Sequence, residues 1–159
     1  MGGEEADASR ARPVLEQLCR RVIHAGPVGS GALLKLAVNL PLMIYWQALG
    51  EQLALCKPLK IDPAELLDFL SETSGAANVL KQRMPGIVAK LKQQPSSQKS
   101  FSLDGGIKDV GQMLAEAKRR GLDLPLLRQT LACFEEARRT IDGGDEVSSV
   151  SAYWASRKS

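Results

Sequence analysis

The stretch that decides the fold is residues 29–56, GSGALLKLAVNLPLMIYWQALGEQLALC. Its apolar side chains recur at steps of three and four residues along two neighbouring rows, which is the spacing of an α-helix. A helix with two apolar rows is expected to be buried on most of its circumference. At about 1.5 Å per residue it is long enough to be the central helix of a bundle. Pro41 lies inside the stretch and is expected to bend the helix.

The rest of the chain carries further helix signals. Asp62 is a good N-cap and Pro63 suits the first helical position. Farther along, Gly121 is expected to end one helix and Pro125 to begin the next. We therefore predict an all-α, multi-helical bundle from residue 26 to the end of the chain.

The first 25 residues have a different pattern. A helix is predicted over residues 8–20, and residues 21–25, RVIHA, have the β-branched composition of a short strand. One helix and one strand do not form a stable sheet alone. Residues 1–25 are therefore expected to be the trailing part of another domain, and residues 26–159 the helical domain.

Composition limits the function classes. The chain has 159 residues, a length that suits one ordinary domain. A net charge of +3 and an aromatic content of 4% argue against a nucleic-acid-binding surface. Three separated cysteines and one histidine do not have the spacing of a metal site. Polar residues interrupt the apolar stretch, so we expect no membrane span, and the polar N-terminus favours a cytoplasmic protein.

Glycines cluster at residues 26–35, GPVGSGALLK, where the long helix is predicted to begin. A Walker A loop would need lysine at Ala32, and a dinucleotide-binding fingerprint would need glycine at Leu34. Two interpretations remain. The glycines let a ligand carboxylate approach the free N–H groups of the helix start, or they form a tight turn with close helix packing.

Lys35 and Asn39 are polar residues within this otherwise apolar helix. Because they are four residues apart, they lie on the same side of it. A desolvated Lys35 would exchange a proton with a carbonyl or hydroxyl group while the Asn39 amide holds the substrate. The alternative is a lysine that extends its charge to solvent at the edge of the bundle. For His24, a structural or supporting role is favoured over acid–base catalysis.

These motifs carry a family resemblance. Residues 26–39, GPVGSGALLKLAVN, resemble the catalytic segment of the β-hydroxyacid dehydrogenases, the 3-hydroxyisobutyrate dehydrogenase and tartronate semialdehyde reductase group. Residues 101–111, FSLDGGIKDVG, resemble the second lysine motif of that family. The runs at 121–125, GLDLP, and 143–148, GGDEVS, resemble its closing helices and C-terminal turn.

The resemblance implies a domain organisation and a fold. Residues 26–159 would be the helical substrate and oligomerisation domain, like the C-terminal domain of 6-phosphogluconate dehydrogenase relatives. Residues 1–25 would be the last helix and strand of an NAD- or NADP-binding Rossmann domain, most of which is missing. The resemblance also implies site residues. Lys35 would be the general acid/base and Lys108 would reach the cofactor. The residues that bind substrate would be Gly29, Ser30, Gly31 and Asn39.

The implied activity is oxidation of a small hydroxy acid by hydride transfer to NAD or NADP, in a homodimer or homotetramer. The chain by itself is expected to be inactive, because most of the cofactor site would lie in the missing domain. One alternative is a non-catalytic helical dimerisation module that retains the dehydrogenase fold. Another is an imine reductase relative, which Lys35 disfavours because those enzymes usually carry a different residue there.

Overall fold

The computed structural model of the chain describes residues 1–96 and 100–157. Within these residues the regular secondary structure is helical, which confirms the predicted all-α class. The α-helices are α1 (Glu5–Leu18), α2 (Ser30–Cys56), α3 (Pro63–Ser71), α4 (Leu80–Leu91), α5 (Leu103–Arg119), α6 (Pro125–Arg138) and α7 (Ser149–Ser156). A short 3-10 helix, Lys57–Leu59, follows α2.

Local capping signals set several helix boundaries. The Asp62 carboxylate accepts a hydrogen bond from the Ala64 N–H at 2.9 Å, and Pro63 is the first residue of α3. Pro125 likewise begins α6. Gly121 follows α5 with a φ of +67°, the left-handed conformation that ends many helices. These three sequence predictions are confirmed. They could be made from sequence because capping depends only on residues close in the chain.

The chain forms two compact units, Met1–Leu40 and Pro41 to the C-terminus. The predicted long helix is confirmed, since α2 is continuous from Ser30 to Cys56 and crosses the boundary between the units. Pro41 lies within it.

The predicted strand at residues 21–25 does not form. Among the described residues this segment bonds to the chain start instead. The Met1 ammonium group donates to the Ile23 carbonyl at 2.7 Å, and the Ala25 N–H donates to the Met1 carbonyl at 2.9 Å. A strand needs a ladder of successive bonds to a neighbouring strand. These two bonds involve a single residue of the chain start, so no ladder develops.

In the second unit, α7 packs against α4 and α6, while α3 packs on α4 and α5 on α6. Helix α7 also lies very close to α2. A Cβ placed on Gly50 would be 2.9 Å from Cβ of Trp154 and 3.1 Å from the Ser151 backbone. At the same contact the Ser151 hydroxyl donates a hydrogen bond to the Trp46 carbonyl at 2.6 Å. Glycine is therefore required for this helix pair at its present separation.

The apolar core of the second unit is built from side chains that are almost completely buried. The largest of them are Met43, Trp46, Leu49, Leu67, Leu80, Ile87, Leu103, Val110, Leu127, Phe134 and Val150. Every α-helix of this unit contributes to this set, so the core binds the helices into one packed body.

The prediction that α2 is buried on most of its circumference is wrong for its first half. Its buried residues all lie between Met43 and Leu53, whereas Leu34 and Val38 are exposed. An apolar row is buried only where another element packs on it, and periodicity does not supply that element. By length and composition Ser30–Leu59 is also apolar enough to cross a membrane, a test that the core helix of a soluble protein passes too.

Replacing Gly50 with alanine is expected to destabilise the protein. Alanine favours the helix, but its methyl group would press on Ser151 and Trp154, and such overpacking costs about 1–3 kcal/mol. We expect the free energy of unfolding, measured by urea denaturation, to fall by about 1–2 kcal/mol. The matched control is Gly111→Ala in α5, where a Cβ meets nothing within 4 Å. It is expected to raise stability by about 0.5–1 kcal/mol. A Gly50→Ala chain as stable as the wild type would contradict the proposed contact.

Candidate functional site

The glycine-rich turn leads directly into α2. The Ser30 N–H donates to the Pro27 carbonyl at 3.0 Å, and the Leu33 N–H donates to the Gly29 carbonyl at 3.0 Å, which starts the helical bonding. Gly29 has a φ of +95°, a conformation that other residues rarely adopt, and a Cβ there would meet nothing within 4 Å. The turn at Gly29 therefore depends on backbone conformation and leaves open space beside it.

Gly31, unlike Gly29, has no open space beside it, because the chain start packs on it. A Cβ on Gly31 would lie 2.9 Å from the backbone nitrogen of Gly2, and one on Gly2 would lie 2.7 Å from that of Gly31. The Gly3 N–H also donates to the Gly26 carbonyl at 2.9 Å. Close backbone packing, one of the two sequence interpretations, therefore accounts for Gly31 and Gly2. The open side of Gly29 remains compatible with a ligand.

His24 joins the same packing. Its Nε2 lies 2.8 Å from the Gly3 carbonyl oxygen, and its Nδ1 lies 2.9 Å from a carboxylate oxygen of Glu5. The imidazole is mostly buried while the Glu5 side chain is exposed. Both ring nitrogens are occupied by groups of the chain start, so the geometry agrees with the structural role expected for His24.

Lys35 and Asn39 lie one turn apart on α2. Lys35 is exposed and engaged in a polar contact, and Asn39 is half-buried. The first unit thus presents an amine and an amide on one side of the helix, within reach of a single small molecule. It does not itself bury Lys35, so the dry environment that a catalytic lysine needs is not built by this unit alone.

Lys108 lies in the second unit, on the second turn of α5. Ser102 caps this helix, since its hydroxyl accepts a hydrogen bond from the Gly105 N–H at 3.1 Å. The Lys108 side chain is exposed, and it makes no ion pair with the residues that the structure describes. Its ammonium group is available to an anionic ligand such as a phosphate.

The predicted site residues divide between the two units. The first unit holds those assigned to substrate and proton transfer: Gly29, Ser30, Gly31, Lys35 and Asn39. The second holds the assigned cofactor residue, Lys108.

A cavity of about 430 Å³ in the second unit was not foreseen from sequence. Lys90, Asp145, Tyr153 and Arg157 are among its lining residues, and none of the predicted site residues lines it. Lys90 pairs with Asp145 at 2.6 Å, and Arg157 pairs with Glu136 at 2.7 Å. The cationic groups of its wall thus already have carboxylate partners. No local sequence motif signals this cavity, because it is formed by residues from separate helices.

The cysteines differ in exposure: Cys19 is exposed, Cys56 half-buried and Cys133 buried. Only the Cys133 thiol is therefore enclosed by the fold. Burial raises the pKa of the Cys133 thiol, which disfavours the reactive thiolate. Across residues 1–96 and 100–157, no three His, Cys, Asp or Glu side chains are grouped as metal ligands.

Comparison with known families connects this arrangement to a class of protein. Residues 29–154 match the family described as "NAD-binding of NADP-dependent 3-hydroxyisobutyrate dehydrogenase". The matched region includes Lys35, Asn39 and Lys108. The helical bundle is thus a domain of the kind found in NAD(P)-dependent dehydrogenases. The chain belongs to the 3-hydroxyisobutyrate dehydrogenase family, part of the β-hydroxyacid dehydrogenases.

Curated relatives agree with this assignment. The 3-hydroxyisobutyrate dehydrogenase of Pseudomonas aeruginosa is 33% identical over 128 residues, which cover 79% of this chain and 43% of that protein. A probable mitochondrial 3-hydroxyisobutyrate dehydrogenase of Arabidopsis thaliana is 26% identical over 148 residues, covering 89% of this chain and 43% of that protein. The chain spans less than half the length of these relatives.

Solved structures share the fold. A crystal structure of 3-hydroxyisobutyrate dehydrogenase from Salmonella typhimurium superposes with a TM-score of 0.80 at 24% identity, covering 96% of this chain and 52% of that one. The Mycobacterium tuberculosis 3-hydroxyisobutyrate dehydrogenase with L-serine gives a TM-score of 0.75 at 23% identity, covering 98% and 54%. The resemblance noted from the motifs is therefore confirmed at the level of family and fold.

Gly31→Ala is expected to release the chain start from the first turn of α2. Its methyl group would collide with the backbone of Gly2 and Met1, which cannot move aside as a flexible side chain could. We expect amide hydrogen exchange at Gly3 and Ala25 to accelerate by about tenfold, as for a local opening made easier by about 1.4 kcal/mol. The control is Ala32→Ser at the neighbouring exposed position. Unchanged protection of both amides in Gly31→Ala would contradict the packing described.

Proposed function

We propose that the chain is the helical, substrate-binding part of an NAD(P)-dependent β-hydroxyacid dehydrogenase that oxidises a small hydroxy acid by hydride transfer. The observation that carries the proposal is the pair Lys35 and Asn39, one turn apart on one side of α2, within the family-matched region. The glycine-rich turn directly before them leaves open space at Gly29, where substrate could approach the helix start.

Each side chain has a defined task in this reaction. When the alcohol is oxidised, its carbon loses a hydride and its hydroxyl loses a proton. The bound cofactor accepts the hydride. Lys35 Nζ, in its neutral form, accepts the hydroxyl proton, and in the reverse direction it returns that proton to the carbonyl oxygen. The Asn39 amide donates and accepts hydrogen bonds, so it can hold the substrate beside Lys35.

Because Lys35 is exposed here, the complete enzyme would have to supply groups that cover its amine. A lysine in water is protonated at neutral pH and does not act as a base. Desolvation by substrate and by a covering domain would favour the neutral amine. The proposal therefore requires a domain beyond the helical part, consistent with relatives more than twice as long as the matched region. From the family resemblance we further propose that residues 1–25 are the end of a Rossmann domain and that residues 26–159 are the helical domain.

The cofactor proposal rests on Lys108. NAD and NADP both carry phosphate groups, and an exposed ammonium group without an ion pair among the described residues suits such an anion. Lys108 would hold part of the cofactor from the helical side, while most of the binding surface belongs to the other domain.

The proposed substrate is a short-chain 3-hydroxy acid. 3-Hydroxyisobutyrate is part of the relatives' names, and L-serine, present with the Mycobacterium tuberculosis relative, also has a hydroxyl group on the carbon beta to a carboxylate. Such molecules are small enough to touch Lys35 and Asn39 together. We further propose a cytoplasmic protein that binds neither nucleic acid nor membranes.

We also propose that the domain forms a homodimer or homotetramer through the first half of α2. Within the first unit, Val38 is 67% exposed and Leu34 is 39% exposed, and Val28 precedes them with 82%. Burying such side chains is favourable, so this surface is suited to a protein partner. The same observation favours the alternative function, a non-catalytic dimerisation module.

Lys35→Ala tests the catalytic role. For this test residues 26–159 are joined to the N-terminal part of the Pseudomonas aeruginosa relative, to restore a cofactor domain. With 3-hydroxyisobutyrate as substrate, we expect kcat to fall by about 10²- to 10⁴-fold, the usual contribution of a general acid/base. The affinity for the cofactor, measured by fluorescence titration, is expected to change little.

The matched control is Lys118→Ala, an exposed lysine in the last turn of α5, which should retain full turnover. The 159-residue chain assayed alone is expected to be inactive. Near-wild-type turnover in Lys35→Ala would overturn the acid/base assignment. Normal dehydrogenase activity of the isolated chain would overturn the proposal that most of the cofactor site lies in another domain.

A paired substitution, Leu34→Glu with Val38→Glu, tests the oligomer. Two charges on the exposed apolar surface should oppose its burial, so analytical ultracentrifugation is expected to show more monomer than in the wild type. The control, Leu126→Glu, changes a similarly exposed leucine, 61% accessible, in α6. A wild-type chain that stays monomeric at high concentration would be the result that removes this part of the proposal.

A further inference from the structure

The start of α5 is clamped by the turn that precedes α7. The Leu103 N–H donates to the Asp145 carbonyl at 2.8 Å, and the Asp104 N–H donates to the Gly143 carbonyl at 3.0 Å. In the opposite direction the Val147 N–H donates to the Phe101 carbonyl at 2.8 Å. These bonds lie around an isolated antiparallel bridge between Ser102 and Glu146. The first turn of α5 is thus held by a segment far away in the chain.

The Glu146 carboxylate lies at the centre of this clamp and is only 7% exposed. It accepts hydrogen bonds from the Ser148 N–H at 2.9 Å, from the Ser148 hydroxyl and from the Ser100 hydroxyl at 3.2 Å. The Arg83 guanidinium, on α4, lies 3.5 Å from it. One carboxylate therefore connects α4, the approach to α5 and the turn before α7.

A buried carboxylate is costly, and a well-packed apolar group is often at least as stable in its place. Among the described residues, Glu146 is the only acidic or basic side chain in the buried class. Its partners compensate the burial, and they are arranged to join three segments. Such an arrangement restricts geometry, because directional hydrogen bonds permit fewer relative positions than apolar contacts do.

We propose that Glu146 is a positioning residue: by holding the approach to α5, it sets where Lys108 is presented to the cofactor. The inference rests on the proposed function, in which Lys108 contacts NAD(P). Lys108 lies six residues after the Ser102 cap, on the second turn of α5, so a shift of the first turn would move its backbone. Glu146 itself touches neither cofactor nor substrate; it acts through the helix start.

A double-mutant cycle tests this role in residues 26–159 joined to the N-terminal part of the Pseudomonas aeruginosa relative, which restores a cofactor domain. NADPH is the probe and fluorescence titration the measurement. Lys108→Ala is expected to weaken binding. Glu146→Gln keeps the size of the side chain but loses its charge, and is expected to weaken binding by about fivefold, the effect of one impaired hydrogen bond. In the Lys108→Ala background, Glu146→Gln should have no further effect, because the residue it positions is gone.

The matched control is Glu116→Gln, at the other end of α5, where the carboxylate pairs with Arg119 and Arg120. It should leave NADPH affinity unchanged. If Glu146→Gln binds NADPH as tightly as the wild type, the inference is overturned. It is also overturned if Glu146→Gln weakens NADPH binding equally in the wild-type and Lys108→Ala backgrounds. If Lys108→Ala binds as well as the wild type, the proposed cofactor contact fails, and the inference fails with it.

Ser100→Ala keeps the test decisive if Glu146→Gln does not fold. It removes the hydroxyl that links the carboxylate to the approach to α5, and its side chain is exposed, so the fold should survive. In the same cycle it should weaken NADPH binding only when Lys108 is present. Affinity equal to that of the wild type would then count against the proposal.

Discussion

The close contact between α2 and α7 at Gly50 constrains how the helices of the second unit pack. A single methyl group at this position would separate the helices, and the hydrogen bond from Ser151 to the Trp46 carbonyl would be lost with the contact. Because α7 also packs against α4 and α6, its position affects most of the bundle. The turn before α7 in turn holds the start of α5. Helix α7 thus contacts α2 at one glycine and follows directly on the turn that bonds to the start of α5.

In the first unit, too, glycines allow two backbone segments to pack closely together. Gly2 and Gly31 approach so closely that the chain start lies on the first turn of α2, and His24 joins this packing through Gly3 and Glu5. The packing holds the turn that precedes Lys35 and Asn39. Both glycine contacts join residues that are distant in sequence.

Local features were predictable and long-range ones were not. The N-cap at Asp62, the glycine after α5 and the proline at the start of α6 depend on neighbouring residues, and all were predicted correctly. The strand at residues 21–25 was predicted wrongly, since strand formation requires a partner that composition does not reveal. Burial of the first half of α2 was predicted wrongly for the same reason. The motifs around Lys35 and Lys108 identified the family, and the run 143–148 contains Glu146. Its burial and its contacts with Arg83 and Ser100 could not be predicted, because these partners are distant in sequence.

The sequence by itself determined the all-α class, the helix boundaries at Asp62, Gly121 and Pro125, the family, and the residues proposed for proton transfer and cofactor contact. These follow from spacing and local chemistry, which are encoded within a few turns of chain. Only the tertiary structure decided which glycines permit close backbone contact, which half of α2 is buried, and which carboxylate joins α4, α5 and α7. These properties depend on distances between residues far apart in the chain, and a distance of this kind exists only once the helices have packed.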